Sequence, residues 1–290
     1  MKRMTMGSAL ILWLMATGLC LAQQMPTARP KPWTGIIGTE KRLTFSDYAK
    51  TQGLPLENLT AHLSAVQVLE CRAIQFTALV VGAPDIVVTV AHAFQERTGG
   101  MRHPTTCGFF VTQGTNTDLY MINAYTWKTG KFRYGPIEEN SPVDWAVMRL
   151  RRPVESVQPF ELPEENTPIW HDDQAVFLAT GPQTNFPLRD VSVRLLEDCR
   201  LRRVVDRGEG PILLKTDCDT GLGASGGAYI ASLAGQRPVL LGLQSSNRGE
   251  PGCTAYDESL CFALGLPVAG DLRAAILKMM SSDPKTDLER

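Results

Sequence analysis

Ser225 stands in Cys218-Asp219-Thr220-Gly221-Leu222-Gly223-Ala224-Ser225-Gly226-Gly227-Ala228, between apolar runs that read as strands, Pro211 to Lys215 and Ala228 to Ala231. Glycine and serine favour turns for ordinary backbone reasons, so the loop by itself establishes only a turn. Its chemical reading is a nucleophile on a tight loop, where glycines let backbone N–H groups converge on a developing oxyanion. A serine nucleophile needs a base within hydrogen-bond reach, and the base needs a group that orients it. Histidine is the usual base because its pKa lies near neutrality. All four histidines, His62, His92, His103 and His171, precede Ser225.

Chain order narrows the chemistry. Gly223-Ala224-Ser225-Gly226-Gly227 also fits the nucleophile elbow of α/β-hydrolases, which run serine, then acid, then histidine. No histidine follows Ser225, and a β-like run stands where the elbow needs a helix. An upstream base is required. His92 ends the β-branched run Ile86 to Ala91, at a strand-to-loop junction, whereas His62, His103 and His171 lie in polar, loop-like surroundings. Asp144 opens the apolar run Trp145 to Leu150. A carboxylate buried there without a partner is costly, so Asp144 is either exposed or paired. Pairing with a histidine ring N–H would fix the tautomer that leaves the other nitrogen free to take the serine proton.

The elements that must position these groups read as β. Strand candidates are Phe76–Val81, Ile86–Val90, Cys107–Thr112, Leu119–Tyr125 and Trp145–Leu150. After a Pro- and Glu-rich connection at 152–170 come Gln174–Thr180, Val191–Val205, Ile212–Thr216, Ala228–Ser232, Val239–Ser245 and Cys261–Leu266. Asp271–Met280 has helical spacing, with Leu272, Ile276 and Met279–Met280 on one side. Residues 36–60 read as short apolar pieces and turns. Many short strands and one late helix indicate an all-β chain of barrels or a sandwich.

The chain has 290 residues, 43% of them hydrophobic, and a formal net charge of −1, with no basic stripe for nucleic acid and no polybasic segment for a membrane surface. Lys2 and Arg3 precede the apolar stretch Ala9–Leu21, which is too short to span a membrane and ends in Cys20-Leu21-Ala22. We read residues 1–22 as a secretory signal and 23–35 as a linker or short pro-segment. No second apolar run approaches membrane length, so the chain beyond Ala22 reads as soluble and exported, periplasmic or secreted. Six cysteines remain after Cys20, an even number that in an exported chain reads as three disulfides whose pairing the sequence leaves open. Without Cys-x-x-Cys spacing a zinc site is poorly supported; no metal and no cofactor is expected.

Three of these motifs together resemble trypsin-like serine peptidases. Thr89-Val90-Ala91-His92 is similar to their Thr-Ala-Ala-His, Asp144-Trp145-Ala146-Val147 with Leu150 to their Asp-Ile-Ala-Leu…Leu, and Gly223-Ala224-Ser225-Gly226-Gly227 to their Gly-Asp-Ser-Gly-Gly. The intervals of 52 and 81 residues are also similar. Ile36-Ile37-Gly38-Thr39-Glu40-Lys41-Arg42 and Cys218-Asp219-Thr220 resemble the bacterial, glutamyl-endopeptidase-like branch, and the resemblance covers roughly residues 36–280. It implies two antiparallel six-stranded β-barrels, chymotrypsin-like, with a C-terminal helix; the first barrel would span 36–155 and the second, with the helix, 156–280. It implies His92 as general base, Asp144 as its orienter, Ser225 as nucleophile, and the N–H groups of Gly223 and Ser225 as oxyanion hole.

The departures are informative. Ala224 replaces the aspartate that, in animal members, pairs with a freed N-terminus, so Ile36-Ile37-Gly38 is not an activation site of that type. Ala93 replaces the cysteine that commonly follows the catalytic histidine. The resemblance pairs Cys71 with Cys107, Cys199 with Cys218 and Cys253 with Cys261. Asp219, six residues before Ser225, has the spacing of the trypsin pocket floor, which would favour cleavage after Lys or Arg. Thr220 matches the pocket threonine of the glutamyl branch, but Gln244 stands where that branch has histidine. Gln244, Ser245 and Asn247 are expected along one pocket wall, pairing with substrate backbone as an added strand. The reading is therefore an exported serine endopeptidase acting on a protein or peptide. The alternative is an inactive member of the fold that serves as a binding module.

Overall fold

In the computed structural model, residues 34–282 are described, except Arg97 and residues 166–168, 188–189, 207, 209–210 and 234–236. The expected signal segment and most of the 23–35 linker lie outside the described residues. The first elements are β1 (Leu43–Thr44), α1 (Phe45–Gln52) and α2 (Leu56–His62). Thr44 caps α1 by accepting the Asp47 N–H, and Phe45, Tyr48 and Ala49 are buried.

Six strands follow: β2 (Val66–Cys71), β3 (Ile74–Val80), β4 (Ile86–Thr89), β5 (Cys107–Gln113), β6 (Asn116–Thr129) and β7 (Ala146–Leu150). They close a barrel in the order β2-β3-β4-β7-β6-β5. A four-residue helix, α3 (Ile137–Asn140), precedes β7. The second set is β8 (Gln174–Thr180), β9 (Leu195–Asp206), β10 (Pro211–Thr216), β11 (Ala228–Ile230), β12 (Leu240–Arg248) and β13 (Phe262–Pro267). These run β9-β10-β13-β12-β11-β8, and β8 also pairs with β9, so this ring closes too. Both barrels thus share one order of strands, and closure leaves neither with a free edge inside the ring.

Each barrel borrows an end of the chain from the other half. β1 adds to β9 of the second barrel. The C-terminal helix α4 (Gly270–Ser281) packs on β4 and β7 of the first, burying Leu272, Ile276 and Met279. Arg149 of β7 fixes that docking: it pairs with Asp85 and donates to the carbonyl oxygens of Met279 and Ser282. The structure joins Cys71 to Cys107, Cys199 to Cys218 and Cys253 to Cys261, the pairing that the resemblance implies.

Candidate active site

His92 and Asp144 meet because of register. In the antiparallel pair β4–β7, Thr89 is opposite Ala146, so the chain leaving β4 faces the chain entering β7. His92 lies in a 3-10 turn, Ala91–Phe94, and Asp144 closes another, Ser141–Val143. Asp144 is only 1% exposed. Its Oδ1 accepts the His92 backbone N–H at 2.9 Å, and its Oδ2 lies 2.7 Å from His92 Nδ1. A buried carboxylate 2.7 Å away selects the tautomer protonated at Nδ1 and leaves Nε2 as a lone-pair base. Phe76 and Phe132 flank the ring, with centroids at 5.7 and 5.8 Å, and restrict its rotation.

A third donor reaches Asp144 from the other barrel. β12 and β13 slip register between Gln244 and Ser246, making Ser245 the extra residue of a bulge. Its hydroxyl donates to Asp144 Oδ2 at 2.6 Å. Its carbonyl accepts the Ser225 hydroxyl at 3.2 Å. One bulged residue therefore links Ser225 to Asp144, which itself holds His92.

Ser225 sits on the loop between β10 and β11. The loop is clamped by Thr77 of β3, which is fully buried. Thr77 N–H donates to Ser225 O at 2.9 Å, Thr77 Oγ1 donates to Gly223 O at 2.8 Å and accepts Gly181 N–H at 2.9 Å. Thr89 Oγ1 donates in turn to Thr77 O at 2.6 Å. Gly223 has φ +108°, and a Cβ there would lie 2.2 Å from Pro182 O, so only glycine fits. Around the loop, Ala224, Gly226 and Gly227 N–H groups donate to Gly221 O, Gln244 O and Ala224 O. The N–H groups of Gly223 and Ser225 have no protein acceptor among the described residues. Two unengaged donors beside a serine hydroxyl are what a developing oxyanion would need.

The residues expected to read substrate are placed differently. Asp219 is fully buried; its Oδ1 accepts Ile37 N–H at 2.7 Å, its Oδ2 accepts Lys41 N–H at 3.0 Å, and Lys41 Nζ is 3.5 Å away. It is not a free pocket floor. Its own N–H donates to the carboxylate of buried Glu197. Burial first, then the Asp219 charge, holds the Glu197 pKa well above the ordinary carboxylate value, with Lys41 opposing; burial likewise raises Asp219, against the Ile37 N–H. Gln244, 2% exposed, points into the second barrel: it accepts the Tyr229 hydroxyl and donates to Ser246 O at 2.7 Å. The Ser245 side chain serves Asp144, as described above. Thr220 and Asn247 do meet, Asn247 Nδ2 donating to Thr220 Oγ1 at 2.6 Å. Thr77, Thr89 and Ser141, whose hydroxyl is 3.0 Å from that of Ser246, were not legible as site residues.

No family model and no curated protein sequence matches the chain. Among solved structures it is similar to one of a Glu endopeptidase in complex with MPD, at 14% identity and a TM-score of 0.54, over 85% of this chain and 100% of that one. The chain has the chymotrypsin-like fold. In the chymotrypsin-like arrangement described here, the candidate groups collect where the barrels meet: His92 and Asp144 from the first, Ser225 and Ser245 from the second.

Proposed function

We propose that this protein is a serine endopeptidase that hydrolyses peptide bonds through His92, Asp144 and Ser225 and an acyl-enzyme intermediate. The observation that carries the reading is the linked set of contacts: Asp144 on Nδ1 of His92, Ser245 bridging Asp144 to Ser225, and two unengaged N–H groups at Gly223 and Ser225. Rotation of the Ser225 side chain from Ser245 O toward His92 Nε2 begins the reaction. His92 takes the hydroxyl proton as Oγ attacks the scissile carbonyl, and Asp144 stabilises the imidazolium that forms. The Gly223 and Ser225 N–H groups receive the oxyanion; one such donor is worth roughly 3–4 kcal/mol of barrier. His92 then protonates the leaving amine. Water, activated by the same histidine, releases the acid.

A peptide substrate has a template. β12 pairs with β11 from Leu240 to Leu243 and with the Gly226–Gly227 backbone at Gln244, so the stretch from Ser245 to Arg248 offers a strand edge on that side. An open polar groove beside it is lined by Pro136, Ile137, Glu139, Asn247 and Arg248. A preference for Lys or Arg does not form part of this proposal, because the Asp219 carboxylate on which it rested is engaged by Ile37 and Lys41. Export is part of it: the apolar leader and three disulfides suit an oxidising compartment. Among the described residues no helix is long and apolar enough to cross a membrane. The test is labelling of the folded protein by a fluorophosphonate at pH 8, with label expected on wild type and none on Ser225→Ala. A folded wild type that takes no label leaves the binding-module reading in possession.

A further inference from the structure

Ala224 removes the carboxylate that could hold the nucleophile loop against a freed N-terminus, yet the loop presents its N–H groups in an ordered turn. The structure supplies another holder. Residues 34–42 lie as a strap across the two segments that abut Gly223. On one side, Gly35 O accepts Thr220 N–H at 2.7 Å, Ile37 N–H and Lys41 N–H both donate to Asp219, and Lys41 Nζ donates to Asp217 O at 2.7 Å. On the other side, Asn185 donates to Thr34 O, and Arg42 donates to Asn185 Oδ1 at 2.9 Å and to Gln183. The 183–185 segment is itself tied to the nucleophile loop, with Thr184 N–H donating to Leu222 O at 2.9 Å. Gly38 N–H donates to Cys253 O at 3.1 Å and pins the middle of the strap to the second barrel.

We propose that Asp219 is a positioning residue: through the strap it holds the Gly221–Ser225 loop in the shape that presents the Gly223 and Ser225 N–H groups, and it does so without chain cleavage. The strap hydrogen bonds to Asp219 and Thr220 described above are made by internal peptide groups of Gly35, Ile37 and Lys41, with the Lys41 ammonium beside them; none of these requires a free α-amino group. The carboxylate is fully buried, and two backbone donors and one cation converge on it. The Gly35 backbone is equally constrained: at φ +83° a Cβ would lie 1.5 Å from Thr220 O, so any side chain there pushes strap and loop apart.

The consequence for catalysis rests on the proposed peptidase function; the consequence for loop order does not. The test therefore pairs two readouts on full-length protein: amide exchange of the segment 217–226 by mass spectrometry, and the rate of acylation by a fluorophosphonate. Asp219→Ala removes the acceptor of two backbone N–H groups and is expected to speed exchange in 217–226 by about tenfold or more; Gly35→Ala, which forces a Cβ against Thr220 O, is expected to act in the same direction. They are expected to slow acylation by about a hundredfold, the usual effect of an ångström-scale displacement at a reacting site, with little change in probe affinity. Asp219→Asn, which keeps an acceptor for Ile37, should fall between these and wild type. If Asp219→Ala fails to fold, Gly35→Ala decides, because it leaves the buried charge cluster intact. Faster loop exchange in a protein whose wild type takes no label would uphold the strap and sink the enzyme reading. The proposal is overturned if exchange shows residues 34–42 released in the variants while 217–226 keeps wild-type protection and any labelling keeps its wild-type rate.

Discussion

Replacing Thr77 by valine tests whether the first barrel holds the nucleophile loop of the second. Valine keeps the branched Cβ, so the substitution opens no cavity and leaves the Thr77 N–H on Ser225 O. What disappears is one hydroxyl that makes two contacts, donating to Gly223 O and accepting Gly181 N–H. The site is fully buried, so a carbonyl and an amide would both be stranded away from water. Each stranded group costs about 1–3 kcal/mol, which places the loss of stability at about 2–6 kcal/mol. Because one of the stranded groups is Gly223 O, the peptide next to a proposed oxyanion donor loses its anchor, and acylation should slow by about a hundredfold. Thr77→Ser keeps the hydroxyl and should retain near wild-type acylation while losing about 1 kcal/mol for the missing methyl. Urea unfolding gives the first quantity, provided the slope is unchanged, and fluorophosphonate kinetics give the second. A valine variant within about 0.5 kcal/mol of wild type and labelled at the wild-type rate would refute the reasoning, since a solvated or redundant contact loses little.

Two further outcomes follow from buried groups. Ser245→Ala removes a 2.6 Å donor from the Asp144 carboxylate, a charge-assisted bond worth about 1.5–3 kcal/mol, so kcat should fall roughly tenfold to a hundredfold with KM near wild type; a raised KM with unchanged kcat would return Ser245 to the pocket wall expected from sequence. Glu197 has a folded pKa well above its ordinary 4.5, so its contribution to stability is fully present below that value and is lost as pH rises toward the folded pKa. Glu197→Gln cannot ionise; the melting temperature of wild type should therefore fall relative to this variant as pH rises above 4.5, and a difference that is flat or reversed with pH would contradict the burial argument.

The strands were legible where one face alone is buried or where a β-branched run is bounded by turns; Gln174–Thr180 is found as read, and the helix at 271–280 is extended by one residue at each end. β2 was missed for a physical reason. Its residues are buried on both faces, one toward the barrel interior and one toward the second barrel, where Val68 faces Gly181, so no alternation marks it. α1 was missed although its signal is present: Thr44 three residues before Asp47 is a capping pattern, but the helix has only 8 residues. The three groups of the candidate triad stand out in sequence because His92 ends an apolar run, Asp144 opens one, and Ser225 sits in a glycine-rich loop between two. Asp219, Gln244 and Ser245 share one feature: the partners of their side chains could not be read from the sequence. Spacing from Ser225 says how far along the chain a residue lies, whereas the direction of its side chain depends on a strap from residues 34–42 and on a bulge at Ser245, neither of which spacing reveals.

The contacts around the site are reciprocal between barrels. The nucleophile loop belongs to the second barrel, but Thr77 of the first, itself braced by Thr89, holds its Gly223 and Ser225 carbonyl groups. The carboxylate belongs to the first barrel, but Ser245 of the second supplies its third donor. Neither barrel alone satisfies its own half: a separated second barrel would strand Gly223 O and Ser225 O, and a separated first barrel would leave Asp144 without Ser245. The crossed chain ends act in the same direction, since β1 and the strap bind the second barrel while α4 caps the first. Opening the interface therefore removes polar partners on both sides at once, rather than exposing a preformed site. The candidate site and the barrel interface should then lose amide-exchange protection together, with His92 and Ser225 never separately competent.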